Sequence, residues 1–199
     1  MVESTDGELI GASLEDSALF GVVFDRHFAA IHRYLARRVS KEVADDLAAE
    51  TFLIAFRRRE SFESTCDTAR PWLFGIATNL ARGHCRSELR MLKAYARSGV
   101  DPVAVEHGYQ AAEDRADASA AGPVLASALA ALNRRDRDAL LLYVWGELSY
   151  TEVAAALAIP VGTVRSRLAR ARTHLREHLL RTGQVLDDAT ATHAEASDE

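Results

Sequence analysis

The segment 149–180 constrains what this chain can fold into more than any other part of its sequence. Ser149 stands three residues before Glu152, the spacing of a capping box, in which each side chain hydrogen-bonds the other residue's backbone amide at the start of a helix. Pro160 and Gly162 follow, and a proline cannot continue the hydrogen-bond ladder of a helix. The pattern therefore predicts a short helix, a tight turn and a second helix.

The second helix, predicted to begin at Thr163, has one apolar face and one basic face. Its apolar residues recur at the three-and-four spacing of an amphipathic helix and are Val164, Leu168, Ala171, Leu175 and Leu179. The arginines of the other face can bond guanine in the major groove or a phosphate. Arginines alone more often form a solvated surface. The capping box and the interruption of the helix at Pro160 and Gly162 together favour a helix-turn-helix that binds duplex DNA.

Charge is distributed unevenly along the chain. A net charge of −5 argues against a nucleic-acid partner if it is taken as a whole. Exposed charges farther apart than about 10 Å are screened at moderate salt, however, so the local charge decides. The successive blocks carry −5 over 1–19, +5 over 20–98, −4 over 99–123, +4 over 124–181 and −5 over 182–199. Two basic modules between acidic segments indicate two sites for a polyanion.

Helical periodicity covers both basic blocks. Helices are predicted over 19–35 and 43–58 and from Pro71 onward, because apolar residues recur there every three or four positions. No alternation typical of strands occurs, so the predicted fold class is all-α, with two small helical domains joined by a flexible acidic linker. The predicted segments are a disordered leader (1–17), an N-terminal helical domain (18–98), the linker (99–123), a C-terminal helix-turn-helix domain (124–181) and a disordered acidic tail (182–199).

The sequence favours a cytoplasmic protein without a cofactor. No stretch approaches the roughly 20 apolar residues of a membrane helix, and no apolar run follows a basic N-terminus. Cys66 and Cys85 belong to no CxxC pair and to no zinc pattern. We therefore expect reduced thiols, no metal site and no contact with a membrane.

Three stretches of the chain are similar to a known family. LSYTEVAAALAIPVGTVRSRLARARTHLRE resembles region 4 of bacterial RNA polymerase sigma factors of the sigma-70 family, in particular the extracytoplasmic-function (ECF) subgroup, and PVGTVRSRLARAR is its most diagnostic part. ALFGVVFDRHFAAIHRYLARR and DDLAAETFLIAFRRR resemble the first parts of sigma region 2. PWLFGIATNLARGHCR resembles the helix that binds the −10 promoter element. The matches cover roughly 18–98 and 124–181, in the family's order.

The resemblance implies a promoter-specificity subunit and not an enzyme. Such a sigma factor binds core RNA polymerase, through the β′ clamp helices and the β flap, and directs initiation at a specific set of promoters. The acidic linker would then occupy a basic channel of the polymerase. An anti-sigma factor is the family's common regulator, and the sequence leaves open whether this chain has one. The clamp-binding surface maps to Asp46, Leu47, Glu50 and Leu53, and Ala49 stands where the family often has Gln.

The resemblance also implies which residues meet DNA. An extruded base of the −10 element would lie between a loop and the helix that follows it, at Ser64, Thr65, Asp67, Asn79, Arg82 and Arg86. The −35 element would lie against the second helix of the helix-turn-helix, at Thr163, Arg165, Ser166, Arg167, Ala169 and Arg170. Trp72 is expected to be a core residue rather than a stacking platform for a base.

Two other classes of protein fit part of the sequence. A stand-alone helix-turn-helix regulator would share the DNA-binding motif, but the N-terminal module has no pattern typical of a sensor pocket. A helical nuclease would use Asp45, Asp46 and Glu50 as metal ligands. Metal chemistry needs further convergent ligands, and no second acidic helix supplies them. The sigma-factor interpretation is therefore preferred.

Overall fold

The computed structural model describes residues 4–63, 66–84, 89–90, 92–93, 97 and 124–195, the stretch 182–195 by its backbone alone. Every regular element in these ranges is a helix, which confirms the predicted all-α class. The predicted linker, 99–123, lies outside the described residues.

The N-terminus is folded where the sequence predicted a disordered leader. Helix α1, Asp6–Ala12, begins with a capping box between Thr5 and Glu8. The buried carboxylate of Asp6 accepts a hydrogen bond from the backbone amide of Ala69, at 2.8 Å. The predicted leader 1–17 is therefore wrong for residues 4–17, because a cap and a long-range anchor order a segment that has few large apolar residues.

Three longer helices form the N-terminal domain: α2 (Phe20–Ala36), α3 (Lys41–Arg57) and α4 (Arg70–Gly83). Each packs against the other two, and short 3₁₀ turns precede α2 and follow α3. Their apolar stripes meet in one core, whose buried members include Val23, Ile31, Leu35, Phe52, Leu73 and Ala77. The predicted helix starts and ends lie within a few residues of the observed ones.

The C-terminal domain contains α5 (124–131), α6 (Arg134–Val144), α7 (Tyr150–Leu157) and α8 (Val161–Glu195). The capping box of Ser149 and Glu152 is present at the start of α7. In the turn after α7 the left-handed residue is Ala158, with φ 51°, whereas Gly162 lies inside α8. The amide of Ala158 still hydrogen-bonds carbonyls of the last turn of α7, which offsets part of the cost of that backbone conformation.

Helix α8 continues through most of the segment predicted to be a disordered tail. Its backbone is helical to Glu195, so that prediction is wrong for 182–195. The stretch contains no proline, and adding residues to an existing helix costs less than nucleating a new one.

The two domains pack directly against each other, mainly through α4 and α7. Gly75 of α4 lies so close to α7 that a Cβ there would be 2.6 Å from the carbonyl oxygen of Ala156. Arg70 donates a hydrogen bond to the carbonyl oxygen of Gly146, at 2.7 Å. Close backbone approach and a hydrogen bond therefore join the helix-turn-helix to α4, whose sequence resembles the helix that binds the −10 element.

Candidate nucleic-acid interface

Helix α8 presents most of the predicted −35 residues to solvent. Its apolar stripe turns inward, where Val164, Leu168 and Ala171 are buried against the rest of the domain. The opposite face is left outward, as the helical period requires. Arg165, Ser166, Ala169 and Arg170 are exposed, and Thr163 and Arg167 are half-buried. The arrangement can contact a polyanion with arginines while small residues permit close approach.

Arg170 is held by a partner that sequence reasoning did not identify. Its Nε and Nη2 donate to the two carboxylate oxygens of Asp136, at 3.1 and 3.0 Å. Burial raises the pKa of Asp136, but hydrogen bonds from Arg170 and Asn133 outweigh it, so that this pKa lies below its ordinary value. Asp136 lies on α6, far from Arg170 in sequence, and no local pattern points to the pair. One edge of the guanidinium is therefore committed to the protein.

A cavity of about 520 Å³ lies beside this pair. It opens between the junction of α5 and α6 and the exposed face of α8, and its lining includes Asn133, Asp136, Ala169, Arg170 and Thr173. The predicted −35 residues Ala169 and Arg170 thus line a concave surface rather than a flat helix face.

The predicted −10 residues are only partly described. Ser64, Thr65 and Arg86 lie outside the described residues. Asn79 is exposed near the end of α4, and its side-chain oxygen accepts a hydrogen bond from Arg82 Nη1, at 2.6 Å. Asp67 is exposed in the preceding loop, where its carbonyl oxygen accepts from the amide of Asp6. Asn79 and Arg82 therefore form one polar unit.

Trp72 packs within the protein. It is half-buried against the core, and its ring lies 4.9 Å from that of Phe62 between centroids. The expectation that Trp72 is a core residue agrees with this contact.

The predicted polymerase-binding residues divide into two groups. Asp46, Glu50 and Leu53 lie on one exposed face of α3, and Leu53 is 47% exposed. Leu47 is only 3% exposed and belongs to the core, which corrects the expectation that its side chain is available to a partner. The helical period explains the difference, because Leu47 is rotated by about 100° from Asp46.

A buried polar cluster joins the two domains, and sequence reasoning missed it entirely. Asp138 of α6 accepts hydrogen bonds from Arg38 Nη2, at 2.6 Å, and from Arg82 Nε, at 2.9 Å. Arg38 and Asp138 are 0% and 1% exposed, although both are charged residues. The partners are 100 residues apart in the chain, so no spacing rule could have paired them.

The described helices include none that is both long and apolar enough to cross a membrane. Asp45, considered above as a metal ligand, pairs with His32 at 2.7 Å. Within the ranges that the structure describes, no three side chains of His, Cys, Asp or Glu come together as a metal site.

Comparison with known proteins identifies both domains. Residues 23–98 match the sigma-70 region 2 family and residues 124–175 match sigma-70, region 4. The ECF RNA polymerase sigma factor SigL of Mycobacterium tuberculosis is 31% identical over 176 residues, which cover 87% of this chain and 96% of SigL. SigC of the same species, also an ECF sigma factor, is 36% identical over 145 residues, 73% of this chain and 75% of SigC.

A solved structure supports the same grouping. The sigma factor RpoE of Bartonella quintana, crystallised with the anti-sigma factor NepR, is 26% identical, with a TM-score of 0.54 over 80% of this chain and 96% of that chain. Both domains, their order and nearly the full length of SigL are thus matched. The chain therefore belongs to the family of ECF RNA polymerase sigma factors, which direct transcription initiation at specific promoters.

Proposed function

We propose that this chain binds core RNA polymerase and contacts a promoter at two points, the −35 element with α8 and the −10 element with α4. The observation that carries the proposal is that each of two separate domains presents a helix with polar, DNA-compatible side chains. Arg165 is exposed on α8, and Asn79 is exposed on α4. Family membership supplies the order of the two contacts.

The −35 contact is duplex recognition by a helix in the major groove. Arg165 has an exposed guanidinium that can form a two-pronged contact with a base, while the adjacent Ser166 donates to the carbonyl oxygen of Gly162, at 3.0 Å. Arg170 enters the same groove with its orientation fixed by Asp136. A fixed arginine loses less conformational entropy on binding than a free one.

The polymerase contact lies on α3. Asp46, Glu50 and Leu53 combine two carboxylates with an exposed apolar side chain on one face. This surface does not involve the residues proposed to meet DNA, so the chain can bind polymerase and promoter at the same time.

The packed arrangement of the two domains must open before both promoter contacts can form. The −10 and −35 elements are separate sites on the duplex, and each base pair between them adds about 3.4 Å to their distance. Helices α4 and α7, by contrast, are in direct contact. We therefore propose that the packed form is inactive and that polymerase binding separates the domains. RpoE was crystallised with an anti-sigma factor. A partner of that class would act on this chain by holding its two domains together.

Reconstitution with core polymerase tests this function against the two rival classes. The purified chain should form a stable complex with core polymerase and support initiation at discrete sites on genomic fragments. Binding to DNA without polymerase association would indicate a stand-alone regulator, and metal-dependent cleavage would indicate a nuclease.

A charge reversal on α3 makes the test specific. Glu50→Arg should weaken the complex with polymerase by about tenfold, because it places a positive charge where the proposed contact has a carboxylate. Glu60→Arg, at an exposed position beyond α3, makes the same charge change and should leave the complex intact. Equal effects of the two variants would contradict the proposed surface.

A further inference from the structure

We infer that Arg38 and Arg82 together form a phosphate-binding site for single-stranded promoter DNA, and that Asp138 occupies this site when the domains are packed. The inference rests on the proposed function, because that function places single-stranded DNA against α4. It adds Arg38, which carries no resemblance-based role, to the DNA-binding residues.

The geometry places two guanidinium groups on one carboxylate. Arg38 donates to one oxygen of Asp138, at 2.6 Å, and Arg82 donates to the other, at 2.9 Å. Two arginines converging on two oxygens of one anion is also the arrangement that binds a phosphate. The carboxylate comes from the C-terminal domain, whereas both arginines belong to the N-terminal domain. When the domains separate, the anion therefore leaves and both cations stay.

The N-terminal domain holds Arg38 in place by itself. Arg38 Nη1 donates to the hydroxyl oxygen of Tyr34, at 2.6 Å, and the guanidinium carbon lies 5.4 Å from the centre of the Tyr34 ring. The Tyr34 hydroxyl is in turn bonded to the hydroxyl of Thr78 on α4, at 2.9 Å, and both residues are fully buried. The orientation of Arg38 therefore does not depend on Asp138.

The position of the pair fits a nucleic-acid backbone. Arg82 also donates to Asn79, the residue proposed to contact the extruded −10 base. A phosphate on the two arginines would thus lie beside the base-contacting amide, as single-stranded recognition requires. An arginine stays charged in proteins, and its hydrogen bonds to an anion are charge-assisted. Asp138 and a promoter phosphate are therefore alternative counter-ions for the same site.

The competing interpretation is that Arg38 and Asp138 only fasten the domains together. The two interpretations predict different results for the loss of Arg38 in an Asp138→Asn background. If Arg38 is only a fastener, its removal has no further effect on DNA binding, because its ion pair is already lost. If it binds phosphate, its removal weakens DNA binding.

The experiment measures fluorescence anisotropy of a labelled oligothymidylate of about 12 nucleotides with the full chain at several salt concentrations. Asp138→Asn should tighten binding by roughly tenfold, because it removes the competing anion. In that background, Arg38→Gln should reverse most of the gain and reduce the slope of log affinity against log salt by about 0.7, the value for one phosphate contact. Arg33→Ala, which removes an exposed charge from α2, the helix that ends just before Arg38, should change affinity less than twofold.

A second variant separates loss of charge from loss of folding. Arg38→Lys keeps the positive charge and should retain the salt slope of the Asp138→Asn parent, with thermal melting recorded for every variant. The inference is overturned if Arg38→Gln matches the parent in affinity and slope, or if Asp138→Asn leaves affinity unchanged. Because the assay contains no polymerase, a failure of initiation with the oligothymidylate results intact would remove the sigma function and leave the phosphate site.

Discussion

At the scale of single residues, buried polar groups determine how the proposed −10 site is held. Asp6 is buried, with one carboxylate oxygen 2.6 Å from His27 Nε2 and 2.8 Å from the amide of Ala69, and the other 3.1 Å from Arg26 Nη1. It thereby ties α1 and α2 to the end of the loop that precedes α4. Burial raises the pKa of Asp6, but the hydrogen bond from His27 and the bonds from Ala69 and Arg26 outweigh it and hold this pKa well below its ordinary value.

Asp6→Asn should lower the free energy of unfolding by about 2 kcal/mol near pH 7, because charge-assisted hydrogen bonds are replaced by neutral ones. A carboxyl group with a lowered pKa stabilises the fold above its unfolded-state pKa, near 3.8, and loses that contribution as the pH falls below it. Urea unfolding should therefore show a difference in the free energy of unfolding between wild type and Asp6→Asn that becomes smaller below about pH 4.

Asp16→Asn is the matched control for this pair. Asp16 is exposed and only caps the adjacent turn by accepting from the amide of Ala18, at 3.1 Å. Its substitution should cost less than about 1 kcal/mol. If the difference in free energy of unfolding between wild type and Asp6→Asn becomes larger as the pH falls, the role assigned to Asp6 is wrong.

The sequence predicted which side chains are exposed better than it predicted which side chains bond to each other. The helical period alone placed Arg165 outward and Val164 inward, since a helix has one buried face. Leu47 was misassigned because its proposed role came from family resemblance and not from that period. The partners of Asp6 and Arg38 come from distant parts of the chain, and tertiary contacts of that kind leave no local signal.

At the scale of elements, the sequence predicted the buried stripe and the basic face of helix α8, because both follow from the three-and-four spacing. Its start was predicted two residues late, at Thr163 instead of Val161, and its continuation to Glu195 was not predicted. Helix α1 was missed, because a seven-residue helix with two acidic residues in its first turn has too short a pattern. Ala158 was missed because a left-handed residue is usually predicted from glycine or asparagine.

Arg165→Ala should weaken binding of the cognate −35 duplex by about 1–3 kcal/mol if the guanidinium contacts a base. The comparison is with a duplex of scrambled −35 sequence, measured by anisotropy on the holoenzyme. The loss should appear on the cognate duplex and be much smaller on the scrambled one, because a phosphate contact would weaken both equally.

Arg181→Ala removes an arginine from the same helix, one that is exposed beyond the helix-turn-helix and donates to the carbonyl oxygen of Glu177. It should leave the preference for the cognate duplex unchanged. The same loss on both duplexes with Arg165→Ala would refute base recognition by this side chain.

At the scale of the whole molecule, the packing of the two domains is the property that the sequence did not predict. The sequence predicted two modules from the two basic blocks, the acidic linker between them and the family match. None of these predicted that the modules contact each other. That contact depends on Gly75 at one helix crossing and on an ion pair between Arg38 and Asp138, and the sequence does not indicate which distant residues these positions contact. Both must give way if the modules are to reach separated promoter elements.

Gly75→Ala should separate the domains without changing any charge. A Cβ at this position would lie 2.6 Å from the carbonyl oxygen of Ala156, and a backbone atom cannot move aside as a side chain can. Small-angle scattering should therefore show a larger radius of gyration, while far-ultraviolet circular dichroism stays helical, because alanine favours a helix over glycine by about 1 kcal/mol.

Gly83→Ala provides the matched control, since this glycine ends the same helix and has open space around its Cβ position. It should gain helix propensity and leave the radius of gyration unchanged. An unchanged radius in Gly75→Ala would mean that the domains are not packed through α4 and α7 in solution.

We propose that one chain contacts a promoter at two points a fixed distance apart, and a change in spacer length tests this most directly. Run-off transcription with core polymerase first maps a promoter, and the spacer between its two elements is then changed one base pair at a time. Two rigidly placed contacts predict a narrow optimum, with transcription nearly lost after an insertion of about five base pairs, which turns one element to the opposite side of the duplex. Transcription that is equally strong at every spacer length would contradict two-point recognition.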